Sequence, residues 1–303
     1  MPDLTENRRQ GWCDLLRCLA CAAVVVLHAT GAPISALSPA SASWLGLVLL
    51  NAATRWSVPV FVMLSGAFLL DPARPFSPPK WRRRLVKLAL VTLLAAYLFA
   101  LWDTRQAHPG LEHLLEALIL VVRGDFHYHL WFLPMLLGLY LLTPPLRAMV
   151  RGASRRTLWY TVGLWALFAL VLPFGYRFSA AAPALPWLER MELYNAFGYA
   201  GYFLLGYLLK TCSLQGRRPL GLFLAGGASL VLTAASVVLL SRSQGTLDAR
   251  FLSSFSPLVA FTAAALFLAL RRLNWGKSPI WARLSRLTLW VYLLHPLVLE
   301  LIL

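Results

Sequence analysis

Charged side chains are scarce in this chain, and acidic ones are the scarcest. Only 13% of its 303 residues are charged, with 12 Asp and Glu against 28 Lys and Arg, whereas a soluble domain is about a quarter charged. Apolar residues account for 59% of the sequence. This balance excludes a water-soluble globular protein, because too little polar surface is left to face water.

Cysteine is rare as well, with four residues in the whole chain. Cys13, Cys18 and Cys21 fall in the first apolar run, and Cys212 ends a later one. The spacing of Cys18 and Cys21 resembles half of a metal or redox motif, but a second ligand pair is missing. We interpret these residues as small side chains that pack helices together, and the sequence predicts no metal site.

Long apolar runs, in contrast, recur along the sequence at a length close to the ~20 residues that cross a bilayer. They predict one all-α domain over residues 1–303, a polytopic membrane helix bundle of about nine to ten transmembrane helices. The stretch Leu111–Val122 is short and carries acidic residues, which indicates an interfacial or re-entrant helix. The predicted spans lie near 13–31, 45–70, 85–102, 129–146, 157–175, 193–210, 219–241, 254–270 and 282–302.

Basic residues lie between the apolar runs rather than on one face, which is typical of an inserted protein and not of a nucleic-acid partner. With nine spans, 21 of the 28 Lys and Arg fall in one set of alternate connections, and six fall in the other. Because cytoplasmic loops carry the excess of Lys and Arg, this pattern predicts a cytoplasmic N-terminus and contact with membrane lipid.

The first span holds three ionisable residues, Asp14, Arg17 and His28. Arg17 and His28 are eleven residues apart, which places them on one helix face and roughly 16 Å apart along its axis. Arginine at the inner end suits a phosphate-bearing ligand, and Asp14 is one turn away. Histidine suits proton abstraction from a hydroxyl. The alternative is that Arg17 reaches the inner headgroups and His28 only hydrogen-bonds a neighbouring helix.

The second span carries Arg55, followed by Pro59 and by Ser65-Gly66. An arginine at this depth lines a cavity or pairs with a buried acid, and we predict that it orients an acyl carbonyl or oxyanion. Pro59 frees a backbone carbonyl, and Ser65-Gly66 allows close approach of a helix or ligand. The alternative is a kinked packing helix in which Arg55 is a structural strut.

A basic run, Lys80-Trp81-Arg82-Arg83-Arg84-Leu85-Val86-Lys87, precedes the third span. Such a run most often anchors a protein to anionic lipid. It can also hold a polyphosphate ligand that arrives from the cytoplasm, and Arg84 and Lys87 are then the candidate contacts.

The predicted outer side carries histidines and aromatic residues. His129 and Trp131 open the fourth span, and His295 lies in the outer half of the last one. With Ser65 they are candidate contacts for the acceptor. A metal held by His127, His129 and Asp125 is the weaker alternative, because two histidines make a poor site.

Five motifs occur in an order that resembles the membrane-bound acyltransferase 3 family. They are Arg17-x10-His28, Ser57-Val58-Pro59 with Phe61-Val62-Met63-Leu64-Ser65-Gly66, His129-Leu130-Trp131-Phe132-Leu133, Gly138-Leu139-Tyr140-Leu141-Leu142-Thr143-Pro144 and Tyr292-Leu293-Leu294-His295-Pro296. The resemblance implies transfer of an acyl group, usually acetyl, from cytoplasmic acetyl-CoA to a glycan or lipid-linked saccharide outside the bacterial inner membrane. Within the family, the chain resembles the stand-alone members, such as enterobacterial-common-antigen O-acetyltransferases, which lack a fused extracytoplasmic domain.

The resemblance also assigns roles to residues. His28 is expected to be the catalytic histidine, with Arg17 as its partner. Relatives often carry an Arg-x-x-Arg pair at the third helix, where this chain has Arg84-x-x-Lys87. That change keeps the charge but weakens bidentate phosphate binding.

Two other classes of protein compete with this interpretation. A small-molecule or proton-coupled transporter also uses buried ionisable residues, and a non-catalytic membrane domain can sense or scaffold. The sequence leaves open the acceptor, which would enter at a mouth near His129, Trp131 and Tyr194. It also leaves open the acyl group, the oligomeric state and the choice between direct transfer and an acetyl-histidine intermediate.

Overall fold

The computed structural model describes residues 10–105, 111–176, 198–213, 218–273 and 278–302. Within these ranges every regular element is helical. The α-helices are α1 Gly11–Ala36, α2 Ala42–Thr54, α3 Ser57–Leu69, α4 Pro78–Thr104, α5 Leu111–Arg123, α6 Phe132–Leu141, α7 Thr143–Gly152, α8 Arg155–Trp165, α9 Leu172–Tyr176, α10 Ala200–Thr211, α11 Pro219–Gln244, α12 Pro257–Arg272 and α13 Pro279–Ile302. A π-helical segment, Ala166–Val171, joins α8 to α9, and a 3-10 turn, Arg250–Leu252, precedes α12.

The all-α membrane prediction is confirmed, but the number of spans is not. In the described residues seven helical stretches are long and apolar enough to cross a membrane, or eight if the bent pair α6 and α7 is one span. In this count α2 with α3, α8 with α9, and the 3-10 turn with α12 are one stretch each. The predicted span 193–210 lies partly outside these residues, and α10 is its described part. The count of nine to ten and the cytoplasmic N-terminus therefore stay predictions. The segment predicted to be interfacial or re-entrant forms the 13-residue helix α5, of which only Ala117 is buried.

Prolines explain both breaks inside predicted spans. Proline has no N–H for the carbonyl four residues before it. Pro59 thus leaves the Arg55 carbonyl without its helical donor, and α2 ends at Thr54 while α3 begins at Ser57. Pro144 does the same to Tyr140, at the junction where α6 and α7 meet at 48°. The Tyr140 carbonyl accepts a hydrogen bond from the Trp81 indole instead, at 3.1 Å.

The helices fall into two compact units. The first comprises Met1–Leu70 and Ala153–Leu303, and the second comprises Asp71–Gly152. In the first unit, a buried cluster joins α1, α2, α11 and the 3-10 turn through Ile34, Trp44, Val48, Val237 and Leu252. This cluster fixes the end of α1 that lies beyond His28.

In the first unit α1 also packs against α13, along a contact that we term the α1–α13 seam. Its polar contacts are Asp14 with Ser285, Cys18 with the Trp281 carbonyl, Cys21 with the Thr288 carbonyl, and His28 with His295. From Cys18 through Cys21 to His28 the partners on α13 advance from Trp281 through Thr288 to His295, so α1 and α13 run parallel. Parallel first and last spans require an odd number of crossings, which agrees with the parity of a nine-span topology.

Two glycines bring α3 and α10 into backbone contact in the first unit. A Cβ atom built on Gly66 would lie 1.8 Å from the Phe203 carbonyl oxygen, and one built on Gly206 would lie 2.0 Å from that of Met63. Close helix approach through small residues is a usual way for membrane helices to pack. The predicted role of Gly66 in close approach is confirmed, with a helix as its neighbour.

The second unit is built on α4. Helices α5 and α6 pack against α4, and the buried side chain of Arg147 on α7 donates to the backbone carbonyls of Asp71 and Arg74 at 2.9 and 2.7 Å. The Arg147 guanidinium also lies over the Phe76 ring. These bonds tie the chain before α4 to the last helix of the unit.

Candidate active site

The centre of the site in the first unit is a pair of histidines. His28 Nδ1 lies 2.6 Å from His295 Nε2, and the two ring planes are 9° from parallel. His295 is 5% exposed, whereas His28 is half-buried. The interaction is a hydrogen bond between two imidazoles that lie 267 residues apart in the chain. The structure thus brings together two histidines that lie in separate predicted spans.

The backbone of α13 holds His295 in place. Its Nδ1 atom lies 2.8 Å from the Tyr292 carbonyl oxygen and 3.1 Å from that of Val291. Both acceptors are on the preceding turn of the same helix. The imidazole is therefore oriented at one nitrogen by its own helix and at the other by His28.

Arg17 lies at the other end of the α1–α13 seam. Its Nη1 atom is 3.8 Å from Asp14 Oδ1, and its side chain is 34% exposed. The same carboxylate oxygen accepts a hydrogen bond of 2.6 Å from Ser285. The predicted pairing of Asp14 with Arg17 is confirmed, and Ser285 is a partner of the carboxylate that the sequence did not indicate.

Arg55 is placed by a different network. Its Nε atom donates to Asn51 Oδ1 at 2.7 Å, and Asn51 in turn donates to Thr30 Oγ1 at 2.8 Å. The partner is thus an amide rather than the buried acid considered from the sequence. Thr30 lies about 200° around α1 from His28, so these bonds attach Arg55 to a different face of α1 from the one that meets His295.

Ser65 is half-buried on α3, and its hydroxyl donates to the Phe61 carbonyl at 2.9 Å. This bond is within one helix and is common for serine in membrane helices. The oxygen keeps the ability to accept a hydrogen bond. Its predicted contact with the acceptor stays a prediction.

The second unit contains the other predicted contacts for the donor. Arg84 and Lys87 are exposed near the beginning of α4, beside the exposed Arg82 and Arg83. Residues three apart lie on one face of a helix, so Arg84 and Lys87 form a continuous cationic surface.

His129 is buried in the second unit, and Trp131 is exposed at the start of α6. His129 Nδ1 lies 2.8 Å from His127 Nδ1, while His127 Nε2 lies 3.7 Å from Asp103 Oδ1. Phe99 packs against both imidazoles. The carboxylate near this pair is thus Asp103, at the end of α4, which the motifs of the sequence did not indicate.

The sequence left a metal held by His127, His129 and Asp125 as the weaker alternative. Among the residues that the structure describes, no group of three or more His, Cys, Asp or Glu side chains is placed to hold an ion. The His127–His129 contact is a hydrogen bond between two nitrogens, and Asp125 is exposed. Tyr194, considered for the outer mouth, lies outside the described residues.

Comparison with known proteins identifies the family. Residues 10–303 match the family described as an acyltransferase domain, acyltransferase 3. An amino-acid racemase from Enterococcus faecalis is 27% identical over 315 residues, which cover 98% of this chain and 42% of that protein. This chain thus spans less than half the length of the curated relative that it matches. No solved structure matches it. Because the family match extends over almost the whole sequence, the chain belongs to the acyltransferase 3 family and is a multi-pass membrane protein of that family.

Proposed function

We propose that the chain is an O-acyltransferase of the bacterial cytoplasmic membrane. It moves an acyl group, acetyl in the simplest case, from cytoplasmic acyl-CoA to a hydroxyl of a cell-surface glycan or lipid-linked sugar on the outer side. The observation that carries this proposal is the His28–His295 hydrogen bond inside the helical bundle. A half-buried imidazole held by a second imidazole is suited to proton transfer at neutral pH.

The reaction needs one base and one oxyanion stabiliser. His28 takes the proton of the acceptor hydroxyl while the oxygen attacks the thioester carbonyl carbon. The carbon–sulfur bond then breaks, and the thiolate of CoA receives that proton from the imidazolium. Arg55, which keeps its charge at any physiological pH, is proposed to orient the carbonyl oxygen on which negative charge develops.

The donor carries several phosphates and enters from the cytoplasm. Arg17, one third exposed at the beginning of α1, is proposed to bind one phosphate. In the second unit, the exposed pair Arg84 and Lys87 is proposed as a phosphate contact in its own right. Charge-assisted hydrogen bonds to phosphate are among the strongest polar contacts in proteins. In this arrangement the long pantetheine arm of CoA covers the roughly 16 Å of helix between Arg17 and His28.

Ser65 and His295, both in the first unit, are proposed to contact the acceptor. In the second unit, His129 and Trp131 are proposed as sugar contacts in their own right. Trp131 offers an exposed aromatic face, which suits the apolar side of a sugar ring. Direct transfer and an acetyl-histidine intermediate both use His28, and they differ in one respect. Only the intermediate leaves labelled acetyl on the protein when no acceptor is present.

The experiment uses purified protein in nanodiscs with acetyl-CoA labelled on the acetyl group and a cell-envelope glycan fraction as acceptor. We compare wild type with His28→Ala and Arg17→Ala, and follow both free CoA and label on glycan or protein. We expect a loss of at least about 100-fold for His28→Ala, since a placed base contributes about 10² to 10⁴. For Arg17→Ala we expect mainly a higher KM for acetyl-CoA.

A matched control is His113→Ala, which removes a histidine of α5 whose Nε2 atom lies 2.7 Å from the Leu101 carbonyl oxygen of α4. It is expected to keep wild-type activity. Wild-type protein that is folded but neither binds acetyl-CoA nor releases CoA would refute the proposal.

A second candidate function is transport of a small molecule. The observation in its favour is that the ionisable side chains of His28, Arg55 and His295 lie inside apolar helices, as they do in transport pathways. Amino acids are the substrates to try first, because the matched relative from Enterococcus faecalis is named an amino-acid racemase. Proteoliposomes given a mixture of labelled amino acids test it directly. Uptake without consumption of acetyl-CoA would favour the transporter, whereas CoA release without uptake would favour the acyltransferase.

A further inference from the structure

Pro296, which follows His295 in α13, changes the backbone hydrogen bonding around the His295 side chain. α13 continues as a helix through Pro296 as far as Ile302. Because proline has no N–H, the Tyr292 carbonyl lacks the donor that a helix normally supplies four residues later. The His295 Nδ1 atom lies 2.8 Å from that carbonyl oxygen. The Tyr292 carbonyl oxygen can thus accept a hydrogen bond from the His295 side chain, because Pro296 does not donate to it.

At a second proline of the chain, too, a side-chain N–H takes the place of the backbone N–H that proline lacks. Pro144 removes the helical donor of the Tyr140 carbonyl, and the Trp81 indole N–H donates to this carbonyl at 3.1 Å. A backbone carbonyl inside a membrane bundle has a strong requirement for a donor. Side chains with an N–H satisfy that requirement at both positions.

These contacts determine which nitrogen of His295 carries the proton. Two carbonyl oxygens lie within 3.1 Å of Nδ1, and a carbonyl oxygen is only an acceptor. A bare nitrogen lone pair there would face two oxygen lone pairs. Neutral His295 is therefore protonated at Nδ1, and its Nε2 atom is an acceptor.

The tautomer of His28 follows in turn. Its Nδ1 atom lies 2.6 Å from His295 Nε2. Since that nitrogen accepts, His28 Nδ1 must donate, and the basic lone pair of neutral His28 is on Nε2. We propose that His295, fixed by the carbonyl that Pro296 leaves open, is a positioning residue that holds His28 as its Nδ1–H tautomer and makes Nε2 the proton acceptor in catalysis.

The consequence for the reaction rests on the function proposed above, whereas the tautomer does not. When Nε2 takes the proton of the acceptor hydroxyl, His28 becomes an imidazolium that still donates from Nδ1 to His295. That hydrogen bond becomes charge-assisted and so stronger at the moment when charge develops. His295 itself neither gains nor loses a proton, and the proton leaves from His28 Nε2 to the thiolate.

The direct test is ¹⁵N magic-angle spinning NMR of histidine-labelled protein in lipid bilayers. The chain has six histidines, so the His28 signals can be assigned by comparison with His28→Gln. We expect wild-type His28 to carry its proton on Nδ1. In His295→Ala we expect His28 to be distributed between both tautomers, while His113→Ala leaves it unchanged.

Kinetics with labelled acetyl-CoA supply a second readout. For His295→Ala we expect kcat to fall by about 10- to 100-fold, part of what a placed base contributes, with the KM for acetyl-CoA within about twofold of wild type. His295→Gln keeps a side-chain carbonyl that accepts from His28, so it should recover part of kcat. If His295 only packed the helices, the two variants would lose activity in proportion to their loss of thermal stability.

The outcomes separate this inference from the proposed function. Wild-type His28 protonated at Nε2, or an unchanged His28 tautomer in His295→Ala, would overturn the inference. Wild-type protein with the expected tautomer but no turnover of acetyl-CoA would leave the inference standing and refute the acyltransferase. Turnover of acetyl-CoA by protein whose His28 is protonated at Nε2 would overturn the inference and leave the acyltransferase proposal standing.

Discussion

At the scale of single residues, Asp14, Asp71 and Asp248 each pair with an arginine that is two or three positions away. Asp14 pairs with Arg17 at the beginning of α1, and the buried Asp248 pairs with Arg250 after α11. The Arg250 side chain donates to both oxygens of Asp248, and the Arg250 backbone N–H donates as well. These bonds hold the pKa of the Asp248 carboxyl below its usual range, against the opposing effect of burial.

The depressed pKa gives a prediction with a defined sign. A carboxyl with a lower pKa in the folded state stabilises the fold above its unfolded pKa of about 4, and that contribution is lost as the pH falls through the folded value. Asp248→Asn should therefore lower the Tm at pH 7, and the Tm difference from wild type should shrink below about pH 4. Thermal unfolding followed by tryptophan fluorescence measures it. A difference that stays constant from pH 7 to pH 3 would contradict the prediction.

Some site residues could be predicted from sequence because their spacing is local. Arg17 and His28 share one face of a single helix, and Asp14 lies one turn from Arg17, so helix geometry alone relates them. The partner of Arg55 was not predictable, because an amide four residues earlier competes with any buried acid elsewhere. Asp103 was missed since its proximity to His127 depends on how α4 packs against the segment between α5 and α6.

At the scale of helices, the contact of α3 with α10 depends on two glycines. The Gly66 and Gly206 Cα atoms approach backbone of the opposite helix so closely that a methyl group cannot fit without separating the helices. Sequence predicted close approach at Gly66 but did not identify its neighbour. The breaks at Pro59 and Pro144 were likewise encoded locally, whereas the 48° angle between α6 and α7 depends on packing.

Alanine substitution tests this contact. Gly66→Ala and Gly206→Ala should each destabilise the protein by at least about 1–3 kcal/mol, the range for overpacking a core. Gly46→Ala on α2 is the matched control, because nothing lies within 4 Å of the added atom. It should be neutral or stabilising by up to about 1 kcal/mol. Denaturant unfolding in detergent compares the three, and equal stabilities would show that α3 and α10 do not pack through these glycines.

At the scale of the whole molecule, the charge distribution and the α1–α13 seam both bear on the topology of the chain in the membrane. The excess of Lys and Arg in alternate connections predicts a cytoplasmic beginning. The parallel course of α1 and α13 places Gly11 and Ile302 at opposite ends of two adjacent helices. Sequence provides the first argument but not the second, since the contact of the first and last helices joins residues about 270 positions apart.

Reporter fusions test this topology. Alkaline phosphatase is active only outside the cytoplasm, so a fusion after Ile302 should be active and a fusion after Arg272 should be inactive. The two sites flank α13, which makes each a control for the other. Activity at Arg272 but not at Ile302 would invert the predicted orientation, and equal activity at both would show that α13 does not cross the membrane.

The histidine pair also has a consequence for biosynthesis. At about 5 to 20 residues per second, a ribosome needs on the order of 13 to 53 s to add the 267 residues that separate His28 from His295. During that interval the first helix is already made, but Asp14 lacks Ser285 and His28 lacks His295. The insertion of α13 therefore completes the site. A shortened product that stops before α13 retains the arginine and histidine of the first helix but not the pair that orients the base.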